Sequence, residues 1–214
     1  MIQIYVFGNV PAPVRDVSRD LRAIWAAEET GLPYRLHPLD FARGELKGPE
    51  YTGVNPFGKI PAIVDGGFAL FESAAIVLYL AEKARKLLPE RASDRARALQ
   101  WAFAAVNTVE PAVVELFTLD HFAADAAWAK ERRPAVEAAA QARLATLEEQ
   151  LTGRAYIVGD EFSAPDILMS TVLRLVQHTD LLRAAPRVAA YKERCEGRSA
   201  WRKVLAEHHQ RLAA

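Results

Sequence analysis

The chain has 214 residues, 51% of them apolar and 25% charged, with 27 basic and 27 acidic side chains and a single cysteine. That is the make-up of an ordinary folded protein with room for one or two domains, and it lacks the clustered basic excess that nucleic-acid and anionic-membrane ligands demand. One thiol, Cys195, excludes an intramolecular disulfide framework and any Cys-x-x-Cys redox or zinc site, which points to a reducing, cytoplasmic setting.

In chain order, the opening "MIQIYVFGNV" has no basic stretch ahead of an apolar one, and no apolar run approaches the roughly 20 residues of a spanning helix, so neither a leader nor a membrane segment is expected. "IQIYVF" is β-branched and aromatic and predicts a strand. A proline-containing loop leads to "RDLRAIWAAEET", where Leu21, Ile24 and Trp25 recur at helical spacing before Gly31 at a C-cap. "YRLHPL" predicts a second strand, and "KGPEYTGVNPFG" is a turn-rich passage with space for about one helical turn. "AIVD" and "FALF" form a hairpin across Gly66 and Gly67, and a helix then runs from Ser73 to about Leu87. The order fits a small mixed sheet covered by helices.

From about Ser93 only helical patterns remain. The apolar stripes are Leu99, Phe103 and Val106; then Val136, Ala140, Leu144, Leu147 and Leu151; then Ile167, Leu168, Thr171, Val172, Leu175 and Val176, and each is expected to face a core. In "GDEFSAPDILM", Ser163 with Asp166 three residues on and a proline in the first turn is a helix start of the capping-box kind, with a structural role. The charged, proline-bearing "LLPERASDRAR" marks the boundary, giving domains 1–84 and 93–214 joined by a linker at 85–92.

The chemistry concentrates in "NPFGKIPAIVDGGFALFESAAIVLYL", residues 55–80. Asn55, Pro56 and Gly58 turn the chain just before Pro61, which stands where a strand begins and is a candidate for a cis bond. That geometry would face the backbone of Ile60 outward as an unpaired edge able to bind an extended peptide. Glu72 and Ser73 lie at the mouth of the next helix, where free N–H groups collect. A carboxylate is favoured there, Ser73 adds a donor and Glu72 can hold an ammonium group, so the pair suits a zwitterionic amino-acid head. The plainer reading makes Ser73 a cap and Glu72 a solvated first-turn acid.

These residues resemble the glutathione-binding half of cytosolic glutathione S-transferases, and "RAIWAAEETGLPY" and "GDEFSAPDILM" extend the likeness over nearly the whole chain. The resemblance implies a thioredoxin-like α/β N-terminal domain followed by an all-α C-terminal domain. It also implies a homodimer formed between the N-terminal domain of one subunit and the helical domain of the other, with glutathione as co-substrate and no metal. The cysteinyl backbone of glutathione would pair with Ile60 before Pro61, its γ-glutamyl head would sit on Glu72 and Ser73, and its glycyl carboxylate would meet Lys47 and Lys59. For the thiol-activating residue the likeness points to Ser18, four residues before Arg22, with Tyr5 and Asn9 as alternatives because "GNVPAPVRDV" lengthens the preceding loop. Ser18 would donate a hydrogen bond to the thiolate and lower its pKa, although an N-cap serine needs no such role.

The electrophile would be met between the domains, with Trp101, Phe103, Asn107, Thr108, Phe117, Trp201, His208 and His209 as candidates, the plainer reading of each aromatic being a core residue, since aromatics on a helical stripe usually pack inward. His208 and His209 are sequence neighbours on different helical faces and are not read as a metal site. The implied activity is glutathione transfer to a small electrophile in detoxification. Glutathione-dependent peroxidase or isomerase chemistry, or a non-catalytic glutathione-binding module of the same fold, are the alternatives.

Overall fold

The computed structural model describes residues 1–213, which divide into two compact units: Met1–Leu88 with Arg198 onward, and Pro89–Gly197. The first unit opens with β1 (Ile2–Phe7), α1 (Asp20–Thr30) and β2 (Tyr34–Leu39). After a short α2 (Pro49–Thr52) it continues with β3 (Ala62–Asp65), β4 (Phe68–Phe71) and α3 (Ser73–Ala84). The sheet order is β2-β1-β3-β4, with β1 parallel to β2 and both other pairs antiparallel. The β3–β4 hairpin turns through Gly66 and Gly67, both at positive φ (57° and 90°), a backbone only glycine adopts freely.

Strand alternation divides the side chains of β1 between two faces. Ile2, Ile4 and Val6 are fully buried, while Tyr5 and Phe7 pack against a second cluster of Leu39, Leu46, Tyr51, Ile60 and Ala62. α3 ends at Ala84, three residues sooner than its apolar pattern predicts, because Arg85 turns left-handed (φ 53°) and Leu87 follows at φ 63°.

The last helix, α9 (Ser199–Ala213), was expected with the helical half, yet by packing it belongs to the first unit. The ring of Trp201 lies 4.6 Å from that of Trp25 in α1. Arg198 makes a two-pronged ion pair with Glu29, and Lys203 bonds Glu28.

The second unit holds α4 (Ala92–Phe103), α5 (Glu110–Phe122), α6 (Ala127–Gln150), α7 (Ala164–Leu173) and α8 (Pro186–Glu196). A π-helical turn at Ala104–Val109 makes α4 and α5 one continuous run of 31 residues, Ala92–Phe122. By length, and with an 18-residue window of mean hydropathy 1.3, this run alone among the described residues could reach across a bilayer, a run the sequence pattern did not anticipate. Its Ala98, Ala102, Ala105, Val109, Val113 and Leu116 are buried, as in the central helix of a helical core.

The first predicted stripe is corrected here: Leu99 and Phe103 are exposed, and alanines form the packing face instead. Small side chains let the helices approach closely, which leaves the larger apolar groups outside. The α6 and α7 stripes are buried as expected. At the start of α7, Asp166 accepts from the Ser163 N–H and hydroxyl, the Ile157 N–H and the Tyr191 hydroxyl. Burial pushes its carboxyl up, against the four hydrogen bonds that favour the carboxylate.

Candidate functional site

The register of the sheet gathers the predicted glutathione residues at one edge. Tyr5 near the end of β1 pairs with Ala62 at the start of β3, and Ala62 pairs with Phe71 at the end of β4. The residues just beyond, Ile60–Pro61 and Glu72–Ser73, therefore share the edge at the C-terminal end of β1. α1 begins at the same edge, because Asp20 in its first turn accepts the N–H of Phe7, the last residue of β1.

The Ile60–Pro61 bond is cis, and the paired part of the sheet starts only at Ala62. Two donors pin the approach to it: the Tyr51 hydroxyl and Asn55 Nδ2 both bond the Lys59 carbonyl, at 2.5 and 2.6 Å. Sequence reasoning had Asn55 only as a turn residue and missed Tyr51, whose place in a helical turn eight residues earlier carried no visible signal. Gly58 (φ 57°) holds the segment close to its neighbour, for a Cβ there would stand 2.6 Å from the Leu46 carbonyl oxygen. The loops carrying Lys47 and Lys59 thus run side by side, and both lysines are exposed.

At the mouth of α3, Glu72 is exposed and sits at φ 72°, ψ 113°, a backbone that disfavours any residue with a Cβ. Ser73 beside it is buried, and its Oγ accepts a hydrogen bond of 3.1 Å from Arg22 in α1. With an acceptor lone pair occupied by a guanidinium, the Ser73 proton is free to be offered to a ligand. Arg22 is buried in the first turn of α1 and supplies positive charge next to a helix N-terminus, the electrostatics of an anion site. It entered the sequence reading only as a register mark for Ser18. The available signal was an arginine set among the apolar helix residues Leu21, Ile24 and Trp25, four positions after a serine.

The three thiol-activation candidates part company. Ser18 is 4% exposed, just before α1, and its hydroxyl donates to Asp20 Oδ1 at 2.6 Å. Asn9 is exposed and folds the next loop, donating to Asp40 and accepting from the Phe41 N–H. The Tyr5 ring packs against those of His37 and Tyr51 on the sheet face that also carries Phe7.

Residues 21–83 match the glutathione S-transferase N-terminal domain and residues 106–199 the C-terminal domain. Glutathione S-transferase F10 of Arabidopsis thaliana is 30% identical over 87% of this chain and 92% of its own. The chain belongs to the glutathione S-transferase family. A glutathione transferase from Burkholderia graminis, solved with two glutathione molecules per subunit, is 30% identical with a TM-score of 0.85, covering 95% of this chain and 87% of the other. A disulfide-bond oxidoreductase of Escherichia coli (strain K12) is 36% identical over 65% of this chain and 67% of its own.

For a transferase of this family, the expected electrophile contacts need revision. Trp201 is buried against Trp25, and His208 is fully buried, so both are core residues of the first unit rather than pocket walls. Burial is also what most lowers the His208 pKa. Phe117 is likewise buried, stacked on His121. Trp101 lines a groove of about 560 Å³ within the second unit, with Arg97, Gln150 and Arg154. Asn107 and Thr108 are exposed on the π-helical turn, next to exposed Phe103, and His209 bonds Asp16 on the surface of the first unit.

Proposed function

We propose that this glutathione transferase holds glutathione along the edge formed by Ile60, Glu72 and Ser73, and that Ser18 stabilises its thiolate for attack on a small electrophile. The observation that carries the reading is the convergence at one sheet edge of a cis Ile60–Pro61 bond, a Ser73 hydroxyl oriented by Arg22, and Glu72 held in a left-handed backbone. In this reading Ile60 pairs with the cysteinyl backbone, Ser73 donates to the γ-glutamyl carboxylate, Glu72 takes its ammonium group, and Lys47 and Lys59 face the glycyl carboxylate. Strained backbone clusters where binding over-determines it, which supports Glu72 as a ligand contact. Each unit by which the thiol pKa falls toward neutrality raises the reactive thiolate fraction about tenfold.

Asn107, Thr108 and Phe103 are the proposed electrophile contacts, favoured by their exposure on a π-helical turn, a feature frequent at functional sites. A homodimer would cover Phe57 (68% exposed) and Phe103 (63%), apolar groups left open in the single chain. The setting is cytoplasmic. A second reading, glutathione-dependent disulfide reduction, is favoured by the likeness to the Escherichia coli oxidoreductase. Cys195 is buried with its thiol pushed up by burial, so that exchange would run through glutathione sulfur alone.

Titration calorimetry with glutathione, followed by a conjugation assay with an aromatic halide, tests the proposal. Ser18→Ala is expected to lower turnover while leaving glutathione affinity intact, and unchanged turnover removes Ser18 from the mechanism.

A further inference from the structure

A chain of buried and part-buried polar contacts ends on Ser18 and begins in the last helix. His208 Nε2 lies 2.7 Å from the Arg15 carbonyl, which can only accept, so Nε2 carries the proton. Arg211 donates to the other ring nitrogen, Nδ1, at 2.7 Å, which fixes His208 as the neutral tautomer. The same Arg211 nitrogen lies 3.5 Å from Asp20 Oδ2, while Arg211 Nε is buried with no partner among the described residues, so the guanidinium is placed for its far end. Asp20, 0% exposed, commits Oδ2 to the Phe7 N–H and Oδ1 to the Leu21 N–H and the Ser18 hydroxyl.

A serine has one hydroxyl proton. Here that proton points at a clamped carboxylate, which competes with any ligand for it. A hydroxyl whose proton is shared in this way is a weaker donor to a thiolate than a free hydroxyl. We propose that Asp20, held in place by His208 and Arg211, is a positioning residue that sets the direction of the Ser18 proton and thereby limits how strongly Ser18 stabilises the glutathione thiolate. The inference rests on Ser18 as the thiol contact. It assigns to α9 a part in tuning the sulfur through Asp20.

The test is the pKa of bound glutathione, read from the ultraviolet absorbance of its thiolate in the full-length protein, for wild type, Ser18→Ala, Asp20→Asn and the double variant. An asparagine in place of Asp20 can still accept the Phe7 N–H while its Nδ2, at the cost of the Leu21 N–H contact, donates to Ser18 Oγ and turns the serine proton toward the sulfur. Asp20→Asn is expected to lower the thiol pKa by about one unit or more, roughly a tenfold gain in thiolate near neutral pH. Ser18→Ala is expected to cost a few-fold in thiolate with Asp20 present and about tenfold or more in the Asp20→Asn background. If Ser18→Ala costs the same in both backgrounds, Asp20 acts by charge alone and the inference fails while Ser18 stands. If Ser18→Ala is silent in both, the Ser18 reading falls and takes the inference with it. Should Asp20→Asn not fold, Asp20→Ala, which removes the carboxylate that holds the Ser18 proton, gives the same comparison. In the clamp, His208→Gln, which can donate to Arg15 and accept from Arg211, should keep the wild-type thiol pKa that His208→Ala shifts, and an equal shift in both contradicts the clamp.

Discussion

Helices α7 and α3 both start with a serine and an acid, and they use the pair in opposite ways. At α7, Ser163 and Asp166 are buried and closed upon themselves, with every oxygen of Asp166 engaged by the cap, by Ile157 or by Tyr191. At α3, Glu72 is exposed at a left-handed φ and Ser73 takes a hydrogen bond from Arg22 while keeping its own proton available. A helix start whose polar groups are satisfied internally serves the fold; one that keeps strain and an unused donor is the start proposed to take a ligand.

That contrast can be broken most violently at α7. Asp166→Ala strands the Ile157 and Ser163 N–H groups and the Tyr191 hydroxyl in a dry interior, and the expected loss is about 3–5 kcal/mol in urea unfolding. A loss below about 1 kcal/mol would show that the closed cap contributes little. At α3 the expected effect moves from stability to binding. Ser73→Ala should weaken glutathione by about 1.5–3 kcal/mol, the worth of a hydrogen bond to a charged group, with a smaller loss of about 0.5–1.5 kcal/mol in unfolding from the Arg22 hydrogen bond it removes. Equal damage to both would make Ser73 an ordinary cap. Glu72→Gly sharpens the comparison further, since relief of the left-handed backbone should stabilise the fold by about 1 kcal/mol while glutathione binds less well. A destabilised glycine variant would mean that Glu72 bears no strain. The smallest effects belong to Lys47→Ala and Lys59→Ala, about 0.2–1 kcal/mol of affinity each and diminishing with added salt, as suits exposed charges. Salt-independent losses would point to a direct structural role.

What could be read from the sequence was mostly local. The capping box at Ser163, the hairpin at Gly66–Gly67, the cis proline at Pro61 and the paired signal at Glu72–Ser73 are each contained within a few residues, where backbone rules act directly. What escaped depended on partners far along the chain. Trp201 stood among the pocket candidates because nothing near it announces Trp25, and the ion pair that brings α9 back to α1 joins Glu29 to Arg198 across 169 positions. The Leu99–Phe103 stripe misled for another reason: periodicity favours the larger apolar groups, while the helix packs through Ala98, Ala102 and Ala105. Ser18 and Asp20 stand two residues apart in plain view, yet the meaning of the pair rests on Phe7, His208 and Arg211.

The central claim is that Glu72 and Ser73 receive the amino-acid head of glutathione. A double-mutant cycle by calorimetry, pairing wild type and Glu72→Gln with glutathione and an analogue lacking the γ-glutamyl amine, measures that contact directly. The expected coupling is about 1–2 kcal/mol, with the amine contributing nothing once Glu72 is neutral. Additive losses, with the amine worth the same to both proteins, would contradict the account.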